Sequence, residues 1–181
     1  MNKRRICMLL FVITIVGLVT TAAIVLGLNS REIVRDVEIR NPTGLKGTVF
    51  VLFRPGVTGF NEDIVNAFIR GLIQSDWRVE VTTSSQQAPT NVTAYNLIVL
   101  GAPTNGGYPH QSMLDYIARV NFGGKPVVLI LTSGGDGVAS MGYFRNATIN
   151  ANGTVLSELR FQLFESGAAD RAYTAGTEVT L

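Results

Sequence analysis

The sequence predicts an open α/β sandwich, in which helices cover both faces of a parallel sheet of four or five strands. Three short runs are apolar apart from Thr48, as strands buried on both faces of a sheet are: residues 48–53, 97–100 and 127–131. Segments with apolar residues at helical spacing lie between these runs. This alternation is typical of parallel sheets, because a parallel connection needs a crossover long enough to hold a helix.

The first strand and the helix that follows it are the clearest pair of elements. Residues 48–53 (TVFVLF) lie between Gly47 and Pro55, which limit the strand at its two ends. Two acids, Glu62 and Asp63, come next and suit the first turn of a helix. The apolar residues after them recur at helical spacing: Ile64, Val65, Phe68, Ile69, Leu72 and Ile73.

The alternation continues towards the carboxyl terminus. Residues 77–83 (WRVEVTT) alternate apolar and polar side chains, which predicts a half-buried strand near the edge of the sheet. A second helix is predicted over 113–120, before the strand at 127–131. We also predict a helix over 155–164 and a short last strand in the tail, 172–181.

The amino-terminal segment predicts a membrane anchor. Ile6–Leu28 holds 23 residues without a charge, and a helix of that length, about 34 Å, crosses the hydrocarbon core. The competing interpretation is a secretory signal peptide, but its apolar region is usually only about 7–15 residues and a small-x-small cleavage site follows it. The chain is therefore predicted to divide into an anchor (1–28), a linker (29–46) and a folded domain (47–181).

Charge and sequons bear on the side of the membrane that the domain occupies. The cluster Lys3–Arg5 favours an amino terminus in the cytoplasm. The same rule also counts the basic residues after the anchor, which are Arg31, Arg35, Arg40 and Lys46. Three glycosylation sequons begin at Asn91, Asn146 and Asn152. We expect a single-pass protein of the cell membrane whose domain lies outside the cytoplasm.

The composition excludes several classes of function. The formal charge of +2 arises at the amino terminus, because residues 31–181 hold 12 basic and 13 acidic side chains. A nearly neutral domain argues against a nucleic-acid partner, because proteins that bind nucleic acids carry clustered Lys and Arg residues. One Cys and one His exclude a disulfide framework and a Cys/His zinc site.

The loop after the first strand is a candidate anion site. In open parallel sheets the ligand binds beyond the carboxyl ends of the strands. Residues 54–61 (RPGVTGFN) carry glycines that expose backbone N–H groups before a helix, with Arg54, Thr58 and Asn61 as polar side chains. The alternative is an ordinary strand-to-helix turn that uses Asn61 as a cap. Neither the phosphate loop ending in G-K-[ST] nor the G-x-G-x-x-G fingerprint is present.

Two further loops leave predicted strands with glycines and an aromatic residue. Residues 101–109 (GAPTNGGYP) let the backbone approach a flat ligand on which Tyr108 would stack. Residues 132–137 (TSGGDG) follow the last of the fully apolar strands. Ser133 lacks the G-x-S-x-G elbow of a hydrolase nucleophile, and we expect His110 to be a polar surface residue near the start of a helix.

These segments together resemble the flavodoxin-like family. The resemblance is carried by VFVLFRPGVTGFNEDIVNAF, YNLIVLGAPTNGGYP and GKPVVLILTSGG, and it covers roughly residues 47–135. It implies a flavodoxin-like three-layer sandwich that binds FMN. The implied cofactor-binding residues are Gly56, Thr58, Gly59, Phe60, Asn61, Pro103, Thr104, Asn105, Gly106, Gly107, Tyr108, Thr132, Ser133, Gly134 and Gly135.

The resemblance also implies how FMN is divided among the loops. The first loop would hold the phosphate, although Gly56 replaces one hydroxyl of the family pattern and Asn61 replaces its final Thr. The segment from Thr104 to Tyr108 would lie beside the flavin ring and 132–135 on its other side, and Tyr143 would join Tyr108 in setting the ring's exposure. The family's closing helix after the fifth strand is expected to be missing.

The implied function is electron transfer by a membrane-anchored flavodoxin-like protein with a redox partner in the membrane. An enzyme that reduces quinones or oxidises a membrane-soluble substrate would use the same site. The alternative, from another class, is a flavodoxin-like interaction or structural module that has lost its flavin. The altered first loop favours this alternative.

Overall fold

The computed structural model describes residues 3–181, apart from the side chains of 3–7, 9, 22–26 and 28–30. The chain divides into two units, of which the first ends at Glu32 and the second spans Ile33–Leu181. The first unit contains helix α1, Lys3–Ser30. Within the part of the chain that is described, no helix combines the length and the apolar character needed to cross a membrane. Part of the predicted anchor, 1–28, falls outside the described residues and stays a prediction.

The second unit alternates strands and helices. Its seven strands are β1 (Glu38–Arg40), β2 (Thr48–Phe53), β3 (Arg78–Thr83), β4 (Leu97–Asn105), β5 (Tyr108–Pro109), β6 (Pro126–Ser133) and β7 (Thr154–Gln162). Its four helices are α2 (Phe60–Gln74), α3 (Gln111–Ile117), α4 (Val138–Asn150) and α5 (Ala168–Thr177).

Five parallel strands form the body of the sheet, in agreement with the predicted α/β class. The strand order is β1-β3-β2-β4-β6-β7, with β1 antiparallel to β3 and all the other neighbours on this path parallel. The short strand β5 pairs with the end of β4 as a hairpin. The added edge strand β1 lies in the segment expected to be a polar linker, 29–46. This strand hydrogen-bonds to β3, whose alternating pattern had indicated a place near the edge.

The two faces of the sheet are covered by different helices, because successive strand residues point to opposite faces. On one face, Val49, Val51 and Phe53 belong to a buried cluster that includes residues of α2 and α5. On the other face, Phe50 and Leu52 belong to a cluster that includes residues of α3 and α4. The central strands are therefore buried on both sides, as their continuous apolar runs predict.

The prediction for the last quarter of the chain was wrong. The predicted helix at 155–164 is strand β7, and the predicted last strand at 172–181 falls largely on helix α5. The spacing of the apolar residues led to this error. Val155 and Leu159 are four residues apart, which fits a helix, but the same spacing also fits the two-residue period of a strand. Pairing of β7 with β6 decides between the two periods. The closing helix expected to be missing is thus present.

The sequence analysis did not predict helices α4 and α5, because their buried faces lack large aliphatic residues. The buried face of α5 consists of Ala168, Ala172 and Gly176. Gly176 lies so close to α2 that a Cβ there would meet the Phe68 carbonyl oxygen at 2.2 Å. On α4 the buried residues are Ser140, Met141, Phe144 and Thr148. On α5, close backbone packing therefore replaces the stripe of large apolar residues from which a helix is predicted.

Candidate functional site

Three glycine-bearing loops leave the carboxyl ends of the central strands on one edge of the sheet. They follow β2, β4 and β6, which are neighbours in the strand order. In the parallel register Phe53 lies opposite Gly101, and Pro103 lies opposite Thr132. The residues predicted for the three parts of the site are therefore brought to the same edge, as the topology of parallel strands requires.

The first loop presents its backbone and one hydroxyl at the start of α2. Gly59 has φ 75°, a left-handed conformation that favours glycine, and a Cβ built there would meet no atom within 4 Å. Thr58 is exposed, and its Oγ1 accepts a 3.4 Å hydrogen bond from the N–H of Phe60, the first residue of α2. The Thr58 hydroxyl proton remains able to reach an anion at the helix N-terminus.

Asn61 has a structural role that the sequence did not reveal. Its side chain is buried, with 1% exposed, and its Nδ2 donates a 2.7 Å hydrogen bond to the Arg54 carbonyl oxygen. Its Oδ1 accepts a 3.0 Å hydrogen bond from Thr132 Oγ1. Asn61 thus ties the first loop to the end of β6 from inside the protein.

The cation beside the first loop is Arg35, which lies before β1. Both of its terminal nitrogens donate to the Glu62 carboxylate in the first turn of α2, and its guanidinium lies 5.6 Å from the centre of the Phe53 ring. The hydrogen bond with Glu62 raises the pKa of Arg35. Arg54, which the sequence had offered as the charge of this loop, is buried, and desolvation lowers its pKa.

The second loop is a tight hairpin. Gly106 and Gly107 form its two-residue turn with φ values of 59° and 86°, the positive pair that such turns between antiparallel strands require. Asn105 and Tyr108 face each other across the turn and are exposed, while Pro103 and Thr104 are half-buried.

Helix α4 holds this hairpin by two contacts. Ser140 Oγ donates a 2.6 Å hydrogen bond to the Gly107 carbonyl oxygen. The rings of Tyr108 and Tyr143 meet with their centres 4.6 Å apart, and a hydrogen bond with Tyr108 raises the pKa of Tyr143. The two tyrosines that the resemblance associates with a flavin ring therefore contact each other.

The third loop uses its side chains internally and leaves its backbone open. Thr132 and Ser133 are buried, and Ser133 Oγ donates to the Gly135 carbonyl oxygen. Gly134 and Gly135 are exposed, and a Cβ at either position would meet no atom within 4 Å. Ser133 is thus engaged within its own loop, which agrees with the absence of a nucleophile elbow.

His110 is not the surface residue that the sequence predicted. It is the N-cap of α3 and only 6% exposed, and its Nδ1 accepts a 3.2 Å hydrogen bond from the N–H of Ser112. Ser112 Oγ in turn lies 2.8 Å from Ser84 Oγ. The capping bond explains why an imidazole is buried here. Among the residues described, no group of three or more His, Cys, Asp or Glu side chains could hold a metal ion.

Comparison with known proteins gives a consistent answer about the fold. No protein-family profile and no curated protein sequence matches the chain. Among solved structures, a flavodoxin from the domain Archaea is similar with a TM-score of 0.60 and 14% identity, over 72% of this chain and 94% of that one. The two-electron reduced flavodoxin of Megasphaera elsdenii is similar with a TM-score of 0.61 and 19% identity, over 72% of this chain and 99% of that one.

The chain has the flavodoxin-like fold. An NAD(P)H:quinone oxidoreductase from Methanothermobacter marburgensis shares this fold with a TM-score of 0.55 and 14% identity, over 74% of this chain and 96% of that one. At sequence identities of 14% to 19%, this similarity establishes the fold alone.

The loops can be tested directly for their fit to FMN. In favour of it, a Cβ at Gly59, Gly106 or Gly134 would project into open space, so the loop backbones are accessible to a ligand. Thr58 and the N-terminal amides of α2 suit a phosphate. Against it, Gly56 offers no hydroxyl, and the Asn61 amide is engaged inside the protein. The backbone cradle fits FMN, with fewer side-chain donors than the flavodoxin pattern provides.

Proposed function

We propose that the chain is a flavodoxin-like electron-transfer protein that binds FMN at the carboxyl edge of its sheet. The observation that carries the proposal is the meeting of three open glycine loops at one edge, with Thr58 and Gly59 at the start of α2. In a parallel sheet this edge is where ligands bind.

The first loop would hold the phosphate. Thr58 would donate its hydroxyl proton, and the first N–H groups of α2 would point at the anion with the positive end of the helix dipole behind them. Glu62 in the first turn would repel the phosphate, but its paired Arg35 compensates the charge.

The second and third loops would hold the flavin ring. The backbones of Gly106 and Gly107 on one side, and of Gly134 and Gly135 on the other, offer hydrogen-bonding groups without side-chain obstruction. Tyr108, backed by Tyr143, would cover part of the ring. FMN, when bound, supplies one- or two-electron transfer through its ring and requires no acid or base from the protein. The chain's own part is to bind the cofactor, orient it and limit its contact with water.

The proposal includes a place for the protein at the membrane. The uncharged run Ile6–Leu28 supports an anchor, and tethering would raise the effective concentration of a redox partner in the same membrane. A quinone-reducing enzyme would use the same site, and added quinone separates the two functions. An enzyme would reduce soluble quinone at a rate that saturates with quinone concentration, whereas a carrier would show no such saturation.

A second candidate function is favoured by one observation. The Asn61 amide binds Arg54 and Thr132 instead of facing the loop surface, so one of the positions expected to hold phosphate serves the structure. This favours a flavodoxin-like interaction module without flavin. The two candidates make opposite predictions for the binding of FMN.

Titration of FMN with the full chain in mild detergent tests the proposal. We expect quenched flavin fluorescence and a shifted flavin absorbance that saturate at one FMN per chain. The variant Thr58→Val should weaken binding by about tenfold, because one charge-assisted hydrogen bond of about 1.5 kcal/mol is lost. Thr90→Val is the matched control, since Thr90 is an exposed threonine in another loop. Absence of quenching would favour the module without flavin.

A further inference from the structure

We propose that Asn91 is the acceptor of an N-linked glycan. The sequence contains three sequons, at Asn91, Asn146 and Asn152. Asn91 and Thr93 are exposed and hydrogen-bonded to each other, whereas Asn152 and Thr154, which are also exposed, are each hydrogen-bonded to another part of the chain. At the Asn146 sequon the hydroxyl is buried. The inference is independent of FMN binding and rests on the predicted position of the domain outside the cytoplasm.

The acceptor amide of Asn91 lies in an exposed part of the irregular connection 84–96. Asn91 and Thr93 are both exposed. Thr93 Oγ1 donates a 2.7 Å hydrogen bond to Asn91 Oδ1, and the Thr93 N–H donates a 3.2 Å hydrogen bond to the same oxygen. Both contacts engage the amide oxygen. The amide nitrogen, to which a glycan is attached, makes no hydrogen bond among the residues described.

The connection is fixed to the domain on the amino-terminal side of the sequon. The hydroxyl of Tyr116 donates a 2.7 Å hydrogen bond to the Pro89 carbonyl oxygen, and Arg119 Nη2 donates a 2.8 Å hydrogen bond to that of Ser85. Val92, within the sequon, is buried. A glycan on the exposed Asn91 would therefore project outward while the buried Val92 keeps its place, and it would not disturb the core.

The second sequon is unsuited because it lies within a helix. Asn146 belongs to α4. The hydroxyl of its sequon, on Thr148, is fully buried and donates a 3.0 Å hydrogen bond to the Phe144 carbonyl oxygen. Engaging this hydroxyl would require α4 to unfold.

The third sequon is unsuited because its acceptor nitrogen is in use. Asn152 Nδ2 donates a 3.3 Å hydrogen bond to Asn121 Oδ1, and Asn152 has a positive φ of 62°. The hydroxyl of its sequon belongs to Thr154, the first residue of β7, and donates a 3.2 Å hydrogen bond to the Gly124 carbonyl oxygen. Both groups therefore serve the turn into that strand.

The modification is a group transfer from a lipid-phosphate-linked sugar. A bond forms between Asn91 Nδ2 and the anomeric carbon of the sugar, and the bond from that carbon to the phosphate oxygen of the lipid donor breaks. The lipid phosphate leaves with the bonding electron pair, and the amide proton passes to a base of the transferase. No oxidant or reductant is required.

Mass spectrometry of the full chain, purified from the membranes of its own organism, tests the inference. Trypsin cuts after Lys and Arg, so residues 79–119 form one peptide that contains Asn91, while residues 146–160 form another that contains both other sequons. We expect the first peptide to carry the mass of a glycan at Asn91 and the second to be unmodified. Finding 79–119 only without a glycan, or a glycan only on 146–160, would overturn the inference.

Variants expressed in the same organism separate the sequon from other causes. Asn91→Gln and Thr93→Ala should each abolish the added mass, whereas Thr93→Ser should retain it because serine keeps the hydroxyl. Each change is on an exposed side chain, so the variants should fold. Retention of the glycan in Asn91→Gln would contradict the assignment of the site.

Discussion

Thr132 at the end of β6 donates a buried 3.0 Å hydrogen bond to Asn61 in the first turn of α2, across 71 residues of sequence. Asn61 also donates to the Arg54 carbonyl oxygen, so one amide joins two of the three loops of the candidate site. The first and third loops are therefore coupled before any ligand binds.

Replacing Asn61 should destabilise the protein. Asn61→Ala leaves the Arg54 carbonyl oxygen and the Thr132 hydroxyl buried without this partner, which should lower the free energy of unfolding by about 1–3 kcal/mol. Urea unfolding followed by the fluorescence of Trp77, the single tryptophan, measures the change. The control Asn150→Ala, at an exposed position on α4, should have little effect.

Restoring a hydroxyl to the first loop should strengthen FMN binding. At Gly56 a Cβ would meet its nearest neighbours, Asn61 and Pro103, at 3.7 and 3.8 Å, which are ordinary contacts. Gly56→Ser is therefore accommodated and adds a donor, so the Kd for FMN should fall by about tenfold. Gly56→Ala adds the same carbon without the hydroxyl and should leave the Kd close to that of the unchanged chain. Equal effects of the two substitutions would indicate that the loop does not contact the phosphate.

Enlarging Gly176 should separate α5 from α2. A Cβ there would lie 2.2 Å from the Phe68 carbonyl oxygen and 3.1 Å from Gly71 Cα, and these are backbone atoms that cannot turn aside. Gly176→Ala should lower the free energy of unfolding by at least about 1–3 kcal/mol, the usual cost of overpacking. Gly142→Ala in α4, where a Cβ meets no atom within 4 Å, should be neutral or stabilising. Denaturant unfolding of the two variants checks this, and equal stability would contradict the packing of α5.

Alkaline pH should destabilise the folded protein. Burial and a 2.9 Å hydrogen bond to Glu80 raise the pKa of Tyr95 from 10.0 to about 12. The folded state thus holds the Tyr95 hydroxyl proton more tightly than the unfolded state does. The contribution of Tyr95 to the free energy of unfolding is therefore fully present below pH 10. It should fall between pH 10 and pH 12 by up to about 1.4 kcal/mol for each pH unit.

The variant Tyr95→Phe isolates this contribution. It removes the ionising group, so its free energy of unfolding should decline less steeply over the same range. Below pH 10 the difference between the two proteins should be constant, because it then reflects only the lost hydrogen bond. Parallel declines above pH 10 would show that Tyr95 does not contribute.

The sequence predicted the strands that are buried on both faces of the sheet. It did not predict the elements whose structure depends on pairing or packing with distant parts of the chain. Strands β2, β4 and β6 are buried on both faces, so their apolar runs identify them without reference to the rest of the chain. Strand β7 lies at the edge of the sheet, and its partly exposed side chains fit a helix as well as a strand. Helix α5 packs through Ala and Gly, which carry no strong pattern.

The same distinction holds for the candidate site. The three loops were predictable because topology brings the carboxyl ends of parallel strands to one edge. The inward turn of Asn61 was not, because it depends on Thr132 far along the chain. The position of Arg35 beside Glu62 was not predicted either. The segment before β1 has no helical or strand-like spacing of apolar residues, so the sequence did not indicate that this segment belongs to the domain.

The most direct test of the central claim is the fluorescence of FMN during titration with the full chain. Binding at the three loops predicts quenching that saturates at one FMN per chain, weaker in Thr58→Val and tighter in Gly56→Ser. Fluorescence that stays unchanged in all three proteins up to protein concentrations on the order of tens of micromolar would contradict an FMN site at this edge of the sheet.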